Sequence, residues 1–110
     1  MFELIHYQTQ DGKDRIAEWF DSLRDARAAA LISARLTRLK LGLFGDCKPI
    51  EQGVWELRID YGPGYRVYYA RGGAQLIVLL AGGDKDHQKQ DIQTALHRWQ
   101  DWQRNSNDNA

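Results

Sequence analysis

The chain has 110 residues, with fifteen Lys and Arg, fifteen Asp and Glu and a formal net charge of zero. The balance holds on either side of Gln52, with eight of each sign up to that residue and seven of each beyond it. A chain of this length builds one core that hides roughly two-thirds of the surface an unfolded chain exposes, and 43% hydrophobic against 27% charged residues, with two prolines, excludes disorder for most of it. Zero net charge argues against gripping long nucleic acid by bulk electrostatics, so any polyanion site has to be a local cluster.

A single domain over residues 1–110 is therefore expected. The lone cysteine, Cys47, has no partner for an internal disulfide or for a thiolate zinc site, which fits a reducing, cytoplasmic setting. The start, MFELIHYQTQDGKD, has neither the charged nor the apolar region of a secretion signal. The longest wholly apolar run, Leu76 to Ala81, falls far short of the roughly 20 residues that span a bilayer, so no membrane association is expected.

Phe2 to Tyr7 favours a strand and is halted by the polar stretch Gln8 to Gly12. Ile16, Trp19, Phe20 and Leu23 then recur at helical spacing, with Asp11 and Asp14 placed to serve the first N–H groups. After Asp25, a second stripe runs through Ala28, Ile32, Leu36, Leu39 and Leu43, and Gly42 and Gly45 mark its exit. These two helices predict a hairpin with two buried stripes. Gly45 to Gly53 has a proline, flanking glycines and no periodicity, and reads as a loop.

The period then changes to two. Trp55, Leu57 and Ile59 alternate with polar partners, Tyr61-Gly-Pro-Gly-Tyr65 turns the chain, and Tyr65, Val67 and Tyr69 alternate with Arg66, Tyr68 and Ala70. A second turn at Arg71-Gly-Gly-Ala74 leads into Leu76 to Ala81, apolar throughout and so a central strand, which Gly82-Gly83-Asp84 is expected to end. Ile92, Ala95, Leu96, Trp99 and Trp102 follow helical spacing, with Asp84 or Asp86 as cap and a polar tail, expected to fray, from Asn105. Trp19, Trp55 and Trp99 are expected in the core, with Trp102 left open. The order is β-α-α-β-β-β-α.

A slip by one residue would carry the Trp55, Leu57 and Ile59 face against Arg66 and Tyr68, so only even-sum pairings are acceptable. The pairing symmetric about Pro63 sets Arg58 opposite Tyr68 and Asp60 opposite Arg66, and a Gly72-Gly73 turn sets Arg66 across from Leu79 and Tyr68 across from Ile77. Lys85 then falls near the Gly62-Pro63-Gly64 end, beside Arg66. An alternation of Arg with acidic residues is commonly a solvated face with cross-strand ion pairs. The apolar floor expected from Ile77 and Leu79 gives a second reading, in which arginines rim a groove suited to a phosphate-bearing ligand.

The segments GVWELRIDYGPGYRVYY and LIVLLAGGDKDHQKQDIQTAL, following two amphipathic helices, closely resemble the RelE/ParE superfamily of bacterial toxins, in particular the HigB-like, phage-derived addiction module killer branch. The resemblance covers almost the whole chain and rests on E-L-R-x-x-x-G-x-G-Y-R-V-x-Y followed by G-G-D-K-x-x-Q-x-x-D-I. It implies an α+β RelE-like fold, with a mainly antiparallel sheet packed against the N-terminal helical hairpin. It implies the toxin of a type II toxin-antitoxin module, a ribosome-dependent mRNA endoribonuclease needing no metal or cofactor. The expected partners are a HigA-like antitoxin with a helix-turn-helix domain, the ribosome and mRNA, with DNA reached only through the antitoxin. A ParE-like protein that binds and inhibits DNA gyrase, and a non-toxic remnant that only binds an antitoxin, are the alternatives.

By position in the motif, Arg58 and Arg66 would hold and stabilise a phosphate, and Lys85 would add charge at the strand end. Tyr68, preferred over Tyr69 because it shares the arginine face, would stack a base, with Tyr65 and Lys89 as further substrate-binding candidates. His87 stands where related sequences are expected to carry a small hydroxyl residue. Its imidazole is a candidate general acid or base, or equally a helix N-terminal residue facing water. His6 and His97 read as packing or surface residues, and Cys47 as an inert thiol.

Overall fold

Two aspartates start the first two helices. Asp14 accepts from the Ala17 N–H at 2.9 Å and caps α1 (Arg15–Asp21), and Asp25 accepts from Arg27 and Ala28 at the head of α2 (Ala26–Lys40). In the computed structural model, which describes residues 1–108, the remaining elements are β1 (Glu3–His6), β2 (Cys47–Glu51), β3 (Val54–Ile59), β4 (Tyr65–Gly73), β5 (Leu76–Asp84), a 3-10 turn (Lys85–His87) and α3 (Gln88–Asp108). The five strands form one mixed sheet in the order β1-β5-β4-β3-β2, with β1 parallel to β5 and the other neighbours antiparallel. No helix among the described residues is long and apolar enough to cross a membrane.

Several expectations are corrected. The stretch expected as a loop contains β2, an edge strand that accommodates Pro49 beside a register shift, as edge positions allow. It turns into β3 at Gln52-Gly53, where the Gln52 carbonyl accepts from Trp99 Nε1 at 3.0 Å. The stripe of α2 ends before Leu43, which is 61% exposed. There Leu43 N–H donates to the Arg38 carbonyl and Gly42 N–H to Leu39, the Schellman pattern that closes a helix. Each of the two helices expected as a hairpin packs on the sheet, α1 on β5 and α2 on β3. Helix α3 continues through Asp108, past Asn105; residues 109 and 110 lie outside the described residues.

The glycines expected to end β5 instead continue it, because helices close in on both faces. A Cβ at Gly82 would overlap Trp19 of α1, and one at Gly83 would overlap Asp91 of α3. Successive strand residues point to opposite faces, so the sheet lies between α1 and α2 on one side and α3 on the other. The α1/α2 face is filled by Ile16, Ile32, Leu39, Leu57, Val67 and Leu79, each at most 4% exposed.

The register differs from expectation by two residues. Arg58 pairs with Arg66, Glu56 with Tyr68 and Ile59 with Tyr65, so the hairpin is centred on Gly62 rather than Pro63. The Gly64 N–H donates to Tyr61 and Tyr61 N–H to Ile59, which tightens the turn early. A shift of two preserves which side chains share a face. Between β4 and β5 the turn is Ala74-Gln75 rather than Gly72-Gly73, and parity changes at two register shifts, one between Arg71 and Gly73 and a bulge that pairs Tyr68 with Ala81 but Tyr69 with Leu79. Leu80 is left out of the ladder, and Arg98 of α3 donates to its carbonyl at 2.7 Å. The bulge carries Ile77 and Leu79 to the α1/α2 face, removing the apolar floor expected beneath the arginines. Trp55, expected in the core, is 36% exposed.

Candidate functional site

At one end of the sheet, Arg58, Arg66 and Lys85 line a single cleft of about 430 Å³, together with Asp46, Asp60 and the Gly62-Pro63-Gly64 turn. Arg58 and Arg66 reach it as direct partners across β3 and β4, and Lys85 as the first residue after β5. Gly64 takes a positive φ of 81°, and a Cβ there would lie 3.4 Å from Lys85 Cβ and 3.6 Å from Arg66 Nη1. The turn therefore lies beside two of the three cations, with room there for little more than a glycine.

Two guanidinium groups directly opposite each other on a sheet repel, and each has a carboxylate beside it. Arg58 donates through Nη2 and Nε to the same oxygen of Asp46, Oδ1, at 2.6 and 3.1 Å. This hydrogen bond and the Asp46 charge raise the pKa of Arg58 above the ordinary guanidinium range. Both side chains are open to water, 37% and 51% exposed. Arg66 is more enclosed: its side chain is 12% exposed, and its Nε lies 3.7 Å from Oε1 of the fully buried Glu56. That separation is an ion pair without a hydrogen bond. The other Glu56 oxygen accepts from Gln88 Nε2 at 2.7 Å, which ties β3 to the first turn of α3.

Behind Arg66 the sheet face under α3 carries a cluster of polar groups. Tyr68 is completely buried, and burial, with Glu56 next, pushes its phenol pKa far up. Asp91 is raised above the usual carboxylate range, chiefly by burial. Glu56 Oε1, Arg66 Nε, Tyr68 Oη and Asp91 Oδ2 are all buried without a hydrogen-bond partner. Such a concentration of unsatisfied polar atoms is costly and uncommon in a native interior.

The remaining candidates are placed differently. Tyr68 shares the Arg66 face, as expected, but α3 seals its ring away from any base. Tyr65 is half-buried with its ring against Gly62, on the strand face opposite Arg66. Lys89 is exposed on α3 and does not line the cleft. His87 is also outside that lining. Its Nδ1 lies 2.8 Å from Asp84 Oδ1, a hydrogen bond that raises the imidazole pKa and lowers that of Asp84. Cys47 donates its thiol to the Phe44 carbonyl at 3.0 Å, and burial pushes its pKa up, the setting of an unreactive thiol. Among the described residues no three His, Cys, Asp or Glu side chains gather as a metal site.

Sequence reasoning missed Asp46, Glu56, Gln88 and Asp91. Glu56 had a usable signal, since it lies two residues before Arg58 on the same strand face. Asp46 had none, because its position depends on how the segment before β2 folds back on Arg58.

Chemically, the cleft offers a planar fork from each arginine and a point charge from Lys85, an arrangement that neutralises and orients a phosphate group. Residues 18–100 match the family model described as phage derived protein Gp49-like (DUF891). The chain is similar to an uncharacterized protein of Haemophilus influenzae, 49% identical over 77 residues that span 70% of this chain and 78% of the relative. With most of its length matched, from within α1 to the last turns of α3, the chain belongs to the Gp49-like family of phage-derived proteins, a RelE/HigB-like toxin family.

Proposed function

We propose that the protein is the HigB-like toxin of a type II toxin-antitoxin module and that it cleaves mRNA on the ribosome, with the cleft holding the scissile phosphate. The observation that carries this reading is the convergence of Arg58, Arg66 and Lys85 on one cleft beside the Gly62-Pro63-Gly64 turn. In such a cleavage the ribose 2′-oxygen bonds to phosphorus as it loses its proton, and the bond to the 5′-oxygen breaks as that oxygen gains one. Charge builds on the non-bridging oxygens, where fixed guanidinium donors stabilise the transition state more than the ground state. Arg66 is the fixed donor, Arg58 the more mobile one, and Lys85 supplies long-range attraction. Proton transfer by His87 belongs to this reading only if the 3-10 turn that carries it turns toward the bound RNA.

The zero net charge supports dependence on the ribosome. A free nuclease gains affinity by releasing counterions at many Lys and Arg, whereas a docked one manages with a few. The partners in this reading are the ribosome, mRNA and a HigA-like, helix-turn-helix antitoxin that covers the cleft or blocks docking. The test is induced expression of wild type beside Arg66→Ala and Arg66→Lys, with mapping of mRNA 5′ ends. Wild type is expected to cut translated mRNA within codons, Arg66→Ala not to cut, and Arg66→Lys to retain a trace. Intact mRNA together with inhibited DNA supercoiling would overturn the nuclease reading in favour of a gyrase poison.

A further inference from the structure

The three cations of the cleft are restrained in three ways. Arg66 is enclosed beside buried Glu56, and Glu56 is itself bonded to Gln88, so neither partner can leave without opening the seam under α3. Lys85 has no carboxylate within 4.0 Å among the described residues. Arg58 lies between these cases: its fork is occupied, but by an exposed side chain.

We propose that Asp46 is a displaceable counter-ion, whose carboxylate holds the Arg58 fork in the free protein and must leave it when a phosphate enters. The proposal rests on the phosphate reading of the cleft and adds a residue that sets its affinity. Three observations support it. Asp46 Oδ1 accepts from both Nε and Nη2 of Arg58, the edge by which a guanidinium grips a phosphate. The pair is open to water, where ion pairs are screened and easily exchanged. The position of Asp46 does not depend on its carboxylate, because its backbone carbonyl accepts from the Arg58 N–H at 2.9 Å and from Arg35 Nη2 at 3.5 Å. Removing the charge therefore leaves the segment in place.

Asp60 is the internal comparison. It lines the same cleft and carries the same charge, but has no ion-pair partner among the described residues. A general repulsion between carboxylate and phosphate acts at both aspartates, whereas displacement from a guanidinium acts at Asp46 alone.

The experiment measures binding of a fully 2′-O-methylated RNA hexamer, which cannot be cut, to the full chain. The proteins are wild type, Asp46→Asn, Asp60→Asn, Arg58→Ala, Arg66→Lys and the Arg58→Ala/Asp46→Asn double variant. Asp46→Asn is expected to tighten binding roughly three- to ten-fold, and Asp60→Asn by less than half as much. In the Arg58→Ala background the gain from Asp46→Asn is expected to fall to that of Asp60→Asn, the part due to general repulsion, a coupling that simple charge removal does not produce. Weaker or unchanged binding by Asp46→Asn, or an equal gain in both backgrounds, would overturn the proposal. If Arg58→Ala alone weakens binding in those cases, the phosphate cleft stands and only the role of Asp46 fails. If wild type does not bind the hexamer, or neither Arg58→Ala nor Arg66→Lys weakens it, the phosphate reading fails and takes the Asp46 proposal with it.

Discussion

The two faces of the sheet differ in how much polar material they hold. Toward α1 and α2 lie Ile16, Ile32, Leu39, Leu57, Val67 and Leu79, apolar and almost fully buried. Toward α3, Val54, Ala70, Val78 and Trp99 are buried as well, but beside them lie the fully buried Glu56 and Tyr68 and the half-buried Arg66, Asp91 and Gln88, polar groups of which several atoms lack partners. The first face removes apolar surface from water and accounts for stability at roughly 25 cal/mol per Å². The second gives up part of that gain, and what it obtains is a guanidinium fixed at the mouth of a cleft. A buried charge pair is weak evidence for stability, since hydrophobic replacements of similar volume often do as well. Its presence here marks the α3 face as the one shaped by the cleft.

That contrast can be broken by substitution. The largest effect is expected for Leu57→Ala, which leaves a void on the apolar face and costs about 2–5 kcal/mol. Denaturant unfolding should show this loss, while the RNA affinity of the folded fraction stays unchanged. Next is Glu56→Ala on the polar face, expected to cost about 3 kcal/mol because it leaves Arg66 enclosed without a counter-charge. Unlike Leu57→Ala, it should also weaken RNA binding, and Glu56→Gln, which keeps an acceptor for Gln88 but not the counter-charge to Arg66, should recover only the smaller part due to that hydrogen bond.

A smaller effect distinguishes structure from function at the helix ends. Asp14→Ala removes the cap of α1 and should cost about 1 kcal/mol with RNA binding intact. Burial alone would raise the pKa of Asp14, but the Ala17 N–H and His6 outweigh it and the net shift is downward. The stability it contributes is therefore complete above the ordinary carboxylate pKa and is lost as pH falls through the lower folded value. Asp14→Asn should flatten the acid limb of stability against pH and change little at neutrality. The smallest effect is expected for His87→Ala. With its imidazole on Asp84 and outside the cleft lining, the variant should bind the methylated RNA within about twofold of wild type, a change near the measurement floor. A large loss would instead bring the 3-10 turn into the site.

Much of this was legible in the sequence for a physical reason. Asp14 and Asp25 cap helices by local chemistry, and alternation along Trp55–Ile59 and Tyr65–Ala70 fixes which side chains share a face. The sharing of one face by Arg58 and Arg66 followed from parity, which a two-residue register error does not disturb. What stayed illegible depends on distant packing. Gly82 and Gly83 read as a strand end, because the reason for them is Trp19 and Asp91 on opposite sides of the sheet. The bulge at Leu80 is stabilised by Arg98, eighteen residues away, and it is what removed Ile77 and Leu79 from the arginine face. Tyr68 looked available for stacking only because alternation says which face a residue is on and not whether a helix covers it.

The most direct test of the central claim is an NMR titration of the protein with the methylated RNA hexamer, following the Arg Nε–H resonances. The account predicts saturable shifts of Arg58 and Arg66 at one shared affinity, with no comparable change at Arg71 on the far side of the sheet. Shifts at Arg71 or along α3, with Arg58 and Arg66 unmoved, would contradict it.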